Sequence, residues 1–263
     1  AACAAPLRNW PNGALISLSW NAWASSTRGT DAASAMAKPP AQNSSSQDIQ
    51  AFLGTAKAVA VFAQRQPRLV FAIDATASRE PTWAMARDRQ AAMFHSASKL
   101  AAISIQLCYY RGFQEFKASP WLTDSDALAQ QMARVRCQGG HTQIRRLLRH
   151  ALTVHQENPI RGLVFIGDAL EEPADDVIQL AGQCGLRKLP LFLFQEGGDP
   201  AVQKTFQSMA RVSGGAWARF DQHSANTLAD LLGAVACYAS GGREALENHP
   251  GQGARLLLQQ LKP

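Results

Sequence analysis

Apolar and polar positions along this chain switch repeatedly between two periods. Leu69 to Ile73 is an unbroken apolar run closed by Asp74, the pattern of a strand buried on both faces of a parallel sheet. Gly162–Gly167 repeats the pattern and is closed by Asp168. Strands are also predicted over Ile103–Tyr110, Phe113–Ala118 and Pro190–Gln195, with a short edge strand at Trp217–Phe220. Between these runs the period lengthens to that of a helix. Phe52, Leu53, Ala56, Val59 and Phe62 predict a helix over Gln50–Gln64, and Trp83, Ala86, Met93, Ala97 and Leu100 form the buried stripe of another over Glu80–Leu100. Further helices are expected from Thr123 or Ser125 through Val135, over Gln143–His155 and Ala174–Cys184, from Asp199-Pro200 to about Val212, and from Ser224 to about Ala239. Asp199 before Pro200 reads as an N-cap and a first-turn proline. The pairs Gly214-Gly215 and Gly241-Gly242 read as stops.

Strands alternating with helices predict an α/β fold, a doubly wound and mostly parallel Rossmann-like sheet with helices on both faces. The tight connection Arg111-Gly112 makes the third strand an antiparallel edge strand. In the order 3-2-1-4-5-6 the first and fourth strands are neighbours at the switch point, where such sheets bind ligands at the C-terminal strand ends. Asp74 and Asp168 would meet there.

Composition divides the chain. Residues 1–47 are rich in Ala, Ser, Asn and Pro and sustain neither period, although they hold Trp10, Trp20 and Trp23. They read as a disordered or non-native N-terminal extension. Arg8, Ala14–Leu18 and Ala22-Trp23-Ala24 sketch a poor signal peptide. The preferred reading starts the natural protein at Met36, the first methionine. Residues 48–241 form the domain, and 242–263 an appendage with a helical turn or two around Leu256–Leu261. The formal net charge is +6 without a block of like charge, so no nucleic acid is expected. The basic helix positions Arg145, Arg146, Arg149 and His150 read as a solvated face. No apolar run is long enough to span a bilayer, so no membrane association is expected. Five cysteines without a Cys-x-x-Cys pair indicate neither a zinc site nor a disulfide framework, and reduced thiols point to the cytoplasm.

Candidate chemistry gathers at the strand ends. Asp74, Thr76 and Ser78 put one carboxylate and two hydroxyls on a single turn, all hard oxygen donors of the type Mg²⁺ accepts. The plainer alternative is that they only make local backbone hydrogen bonds. In Cys137-Gln-Gly-Gly-His-Thr142 the glycines let the backbone approach something closely. Thr142 is either the N-cap of the following helix, a hydroxyl aimed into a site, or both. Asp168 supplies the second strand-end carboxylate, and Glu171 and Glu172 make its rim more negative.

Asp74-x-Thr76-x-Ser78, then Thr142 in a glycine-bearing loop, then Asp168 after an apolar strand resembles a von Willebrand factor A (VWA) domain. That family's metal-ion-dependent adhesion site uses Asp-x-Ser-x-Ser, a distant Thr and a distant Asp in this order. Met209-Ala-Arg-Val-Ser-Gly-Gly-Ala-Trp217 and the Leu-rich stretch Leu228–Val235 are similar to the family's close. Arg79-Glu80-Pro81-Thr82-Trp83 resembles a bacterial, intracellular branch. The likeness covers residues 68–240 and none of 1–47. Thr76 departs from the usual Ser but keeps the hydroxyl. The resemblance implies a non-catalytic binding module. Thr76, Ser78 and Thr142 would lie at or near a Mg²⁺ (or Mn²⁺) ion, and Asp74 and Asp168 would act directly or through water. The open position would take an Asp or Glu of a partner protein. The competing reading is a Mg²⁺-dependent phosphohydrolase or nuclease using the same Asp cluster, with Glu171 or Glu172 as base. Against it, no second Asp stands at position 76 and no Ser-His-Asp order emerges. A Gly-x-Gly-x-x-Gly after the first strand and a P-loop lysine are both missing, which argues against a nucleotide site.

Overall fold

The first apolar run becomes the centre of the sheet. In this computed structural model, which describes Gln50 and residues 66–79, 103–220 and 225–261, β1 (Arg68–Asp74) lies between β2 (Ser104–Arg111) and β4 (Gly162–Gly167), parallel to both. β3 (Glu115–Leu122) is antiparallel on the outer side of β2, and β5 (Leu191–Glu196) and β6 (Ala216–Phe220) continue in parallel beyond β4. The order is β3-β2-β1-β4-β5-β6, as the alternating pattern predicts. β4 and β5 are buried along their whole length, and β1 at every position but the first. Helices cover both faces, so these strands need no polar alternation.

Successive side chains of β1 face opposite ways and found two cores. Leu69, Phe71 and Ile73 pack with α1 (Ser125–Arg134), α5 (Ala225–Glu247) and α6 (Gln252–Leu258). Val70 and Ala72 pack with α2 (Ile144–Glu157), α3 (Ala174–Leu186) and α4 (Pro200–Ser213). Asp124 caps α1, accepting from the N–H groups of Asp126 and Ala127 at 3.1 and 3.2 Å. Asp199 caps α4 in the same way, from Ala201 and Val202 at 2.7 and 3.1 Å.

Three expectations shift. β3 begins at Glu115 instead of Phe113, because Gly112 turns the chain in the left-handed region (φ 58°) and residues 112–114 form the turn. Gly242 (φ 68°) breaks α5 without ending it, and the helix resumes to Glu247. The segment expected as an appendage supplies Leu246, Ala254, Leu257 and Leu261 to the same core as Phe71 and Ile73. An amphipathic turn docks when a neighbouring face is left open, and a local period carries no information about that face.

Gln50 aside, the helices predicted over Gln50–Gln64 and Glu80–Leu100, the extension 1–47 and the cap at Ser224 lie outside the described residues. The four described cysteines are free, and burial pushes the thiols of Cys108 and Cys184 up to about 12. Among the described residues no helix is long and apolar enough to cross a membrane.

Candidate metal centre

Because β1 and β4 pair in parallel with Ile73 opposite Ile166, their C-terminal ends finish at one edge, with Asp74 and Gly167 next in line. A Cβ on Gly167 would stand 3.6 Å from that of Asp74, and Asp168 follows immediately.

Asp74 is fully buried, so its carboxylate needs partners in place of water. Oδ1 accepts from the N–H of Thr76 at 2.8 Å, a local turn built into the motif. Oδ2 accepts from the Tyr110 hydroxyl at 3.0 Å. The Tyr110 ring is buried and stacks against Phe165 at 6.1 Å. Burial first, and the Asp74 carboxylate second, push the Tyr110 hydroxyl well above its usual range, with Glu172 and Asp168 adding to the effect. Tyr110 therefore stays a proton donor. It was not among the residues singled out in the sequence, where it is one of two tyrosines at the end of an apolar run. Only its register opposite Asp74 marks it.

Beyond Asp74 the chain makes a short 3₁₀ turn, Ala77–Arg79. This brings Thr76 Oγ1 to 3.2 Å from Ser78 Oγ, the first buried and the second exposed. The motif thus places its two hydroxyls side by side.

The loop carrying Thr142 lies across the ends of β1 and β2. Gln138 donates its N–H to the Ala75 carbonyl at 3.0 Å, and Gly112 donates to the Gln138 carbonyl at 3.3 Å. A Cβ on Gly140 would fall 1.9 Å from the Gly112 oxygen, so this close approach requires glycine. Thr142 is buried, but it does not cap α2. Its Oγ1 accepts from the Glu171 N–H at 3.0 Å, and its own N–H donates to Glu171 Oε2 at 2.9 Å.

The cap comes from another loop. Gln143 stands at the cap position without a side-chain hydrogen bond. Glu172 instead accepts from the N–H groups of Ile144 and Arg145, the latter at 3.0 Å. Its Oε1 also lies 3.2 Å from Arg145 Nε, and Arg145 reaches Asp176 at 2.7 Å. A carboxylate at a helix N-terminus satisfies orphan donors and meets the positive end of the dipole. The two glutamates read from the sequence as a negative rim are therefore engaged with α2, and Glu171 also meets His141 at 3.1 Å.

Asp168 is half-buried, and its Oδ1 is buried without a hydrogen-bond partner among the described residues. Such an acceptor has a lone pair available to a water or a bound ion. The five predicted residues divide as follows. Asp74, Thr76 and Ser78 are joined by direct hydrogen bonds, and Thr142 is tied to the loop that follows Asp168. Among the described residues no three His, Cys, Asp or Glu side chains gather in a metal-binding group. The donor set is two carboxylates and three hydroxyls, which suits a hard cation and not a thiolate- or imidazole-bound one.

Neither a protein-family model nor a curated protein sequence matches the chain. Solved structures do. A von Willebrand factor type A protein from Catenulispora acidiphila superposes with a TM-score of 0.55 at 17% identity, over 67% of this chain and 43% of that one. The SpRpn10 VWA domain superposes with a TM-score of 0.51 at 12% identity, over 62% of this chain and 95% of that one. The fold is that of a VWA domain. Proximal thread matrix protein 1 from the mussel byssus is also similar, with a TM-score of 0.52 at 13% identity over 65% of this chain and 48% of that one. At these identities the likeness concerns the VWA fold, and the chain spans under half the length of the first and third of these proteins.

Proposed function

We propose that this VWA domain is a divalent-metal-dependent protein-binding module in which Asp74, Thr76, Ser78, Thr142 and Asp168 would hold Mg²⁺ or Mn²⁺. The observation that carries the reading is the orphaned, buried Oδ1 of Asp168 at the sheet edge where β1 delivers a carboxylate and a pair of adjacent hydroxyls. The ion, when bound, supplies an electrophilic position that an Asp or Glu carboxylate of a partner protein occupies. The chain's own residues prepare that position. Tyr110 and the Thr76 amide hold Asp74, and the reciprocal Thr142–Glu171 bonds hold the third hydroxyl.

An interaction module is also what the fold favours over an enzyme. Glu171 and Glu172 were the candidate bases of the phosphohydrolase or nuclease reading, and both are engaged at the start of α2. Free cysteines support the cytoplasm as the compartment.

The test is calorimetric titration with Mn²⁺. Even removal of a supporting partner costs a metal site about 10–100-fold in affinity, so Asp168→Ala should weaken binding by at least about tenfold. Equal affinity in the wild type and in Asp168→Ala and Asp74→Ala would refute the site.

A further inference from the structure

The basic face of α2 separates into spent and unspent charges. Arg145 is drawn to Glu172 and Asp176. Arg146 donates to the Gln114 carbonyl at 2.7 Å and lies over the Phe116 ring. His150 meets Gln106 Oε1 at 2.9 Å, and its burial lowers its proton affinity. Arg149 remains exposed and forms no ion pair with the described residues. It lines a groove of about 570 Å³ between α2 and α3, which Arg187 lines from the far end.

The groove has a defined geometry. Arg145 meets Asp176 at 2.7 Å near the starts of the two helices, and His155 Nε2 meets the Arg187 carbonyl at 3.0 Å near their ends. The helices therefore run side by side in the same direction. Arg149 stands six residues before His155, so its backbone lies about 9 Å along the axis from that of Arg187. That is the span of about three residues of extended chain. The exposed Arg187 guanidinium makes a long contact, 3.4 Å to the Gln183 carbonyl. Between the two arginines lie Leu152 and Leu180, half-buried and buried. The side-chain amides of Gln179 and Gln183 make no hydrogen bond with the described residues. Among the described residues the one acidic side chain lining the groove, Asp176, is already paired with Arg145.

We propose that this groove docks an acidic, extended segment of a partner protein. Two of its carboxylates, about three residues apart, meet Arg149 and Arg187, and an apolar side chain between them covers Leu152 and Leu180. The free amides of Gln179 and Gln183 then meet the segment's main chain, which offers both donors and acceptors. Nucleic acid fits less well, because among the described residues no aromatic side chain lines the groove to stack a base. A membrane fits less well because the apolar floor is sunk between two helices instead of standing out to enter a lipid surface. The groove is separate from the proposed metal centre, and its occupant needs no cation.

The experiment is fluorescence anisotropy on the full chain in EDTA. The probe is a blocked, dye-labelled peptide with two glutamates three positions apart and a leucine between them. Saturable binding is expected, weakened at least about tenfold by Arg149→Glu with Arg187→Glu, and to a similar degree when glutamines replace the peptide's glutamates. The milder pair Arg149→Gln with Arg187→Gln should weaken binding while leaving the melting temperature unchanged, since both side chains are exposed. No saturation by about 1 mM peptide, equal binding of the glutamine peptide, or binding that requires Mn²⁺ would overturn the proposal. Tighter binding of phosphatidylserine vesicles or a single-stranded oligonucleotide through the same two arginines would also overturn it. The peptide assay runs without metal and the Mn²⁺ titration runs without peptide, so the two readings fail separately.

Discussion

Replacing Glu172 by Ala tests how the candidate site is held. Read as a rim charge beside Asp168, Glu172 should repel an incoming carboxylate, and its removal should cost no stability. The geometry implies the opposite. Its side chain is 11% exposed and accepts two main-chain N–H groups in the first turn of α2. No side chain of Gln143 is in position to replace it. Loss of an N-cap costs about 0.5–2 kcal/mol, and a hydrogen bond to a charged group contributes about 1.5–3 kcal/mol. The pairing with Arg145 adds little, because that guanidinium is 39% exposed and screened by solvent. About 2 kcal/mol is the expected loss. With a urea slope of about 2 kcal/mol/M, the unfolding midpoint should fall by about 1 M. Glu172→Gln keeps an acceptor and should lose less. Glu171→Ala provides the comparison, since that side chain is 49% exposed and should cost clearly less than Glu172→Ala. Mn²⁺ affinity should fall in Glu172→Ala as the Thr142 loop loosens. An unchanged midpoint, or equal losses at the two glutamates, would show that α2 does not depend on this cap.

Three other outcomes are expected. Tyr110→Phe keeps the ring but removes the hydroxyl that donates to the buried Asp74 carboxylate, at a cost of about 1.5–3 kcal/mol in chemical denaturation; a change under about 0.5 kcal/mol would mean that Asp74 does not rely on it. Cys108 and Cys184, raised from an ordinary 9.0 to about 12 by burial, should resist a thiol reagent at pH 8 until the protein unfolds, while Cys137 and Cys237, which are only partly buried, should react first. Because the folded values lie above the unfolded one, their contribution to stability is complete below pH 9.0 and is lost as pH rises towards about 12, so a flat stability profile across that window would contradict the assignment. Finally, a chain beginning at Met36 should melt within a few degrees of the full chain, and a large loss on that truncation would place Trp10, Trp20 or Trp23 in a packed position.

The strand pattern by itself determined the frame of this protein. Strands covered on both faces have no solvent side, so β1 and β4 appear as unbroken apolar runs, and a carboxylate at the end of each stands out. The alternation of strands with helices points to the order 3-2-1-4-5-6, in which the first and fourth strands are neighbours and Asp74 and Asp168 end at one edge. The tertiary structure decided what depends on contacts distant in sequence. Thr142 as an N-cap was a sound local inference, yet Glu171, Thr142's partner, stands 29 residues later, and the local pattern does not reveal which loop will arrive. Tyr110 becomes a hydrogen-bond donor to Asp74 only through the register between β1 and β2. Residues after Gly242 carried a short apolar period that reads equally as a loose turn or a docked helix. The open face beside α5 settled it by burying Leu257 and Leu261, because burial depends on which surface lies opposite, and that surface comes from other parts of the chain.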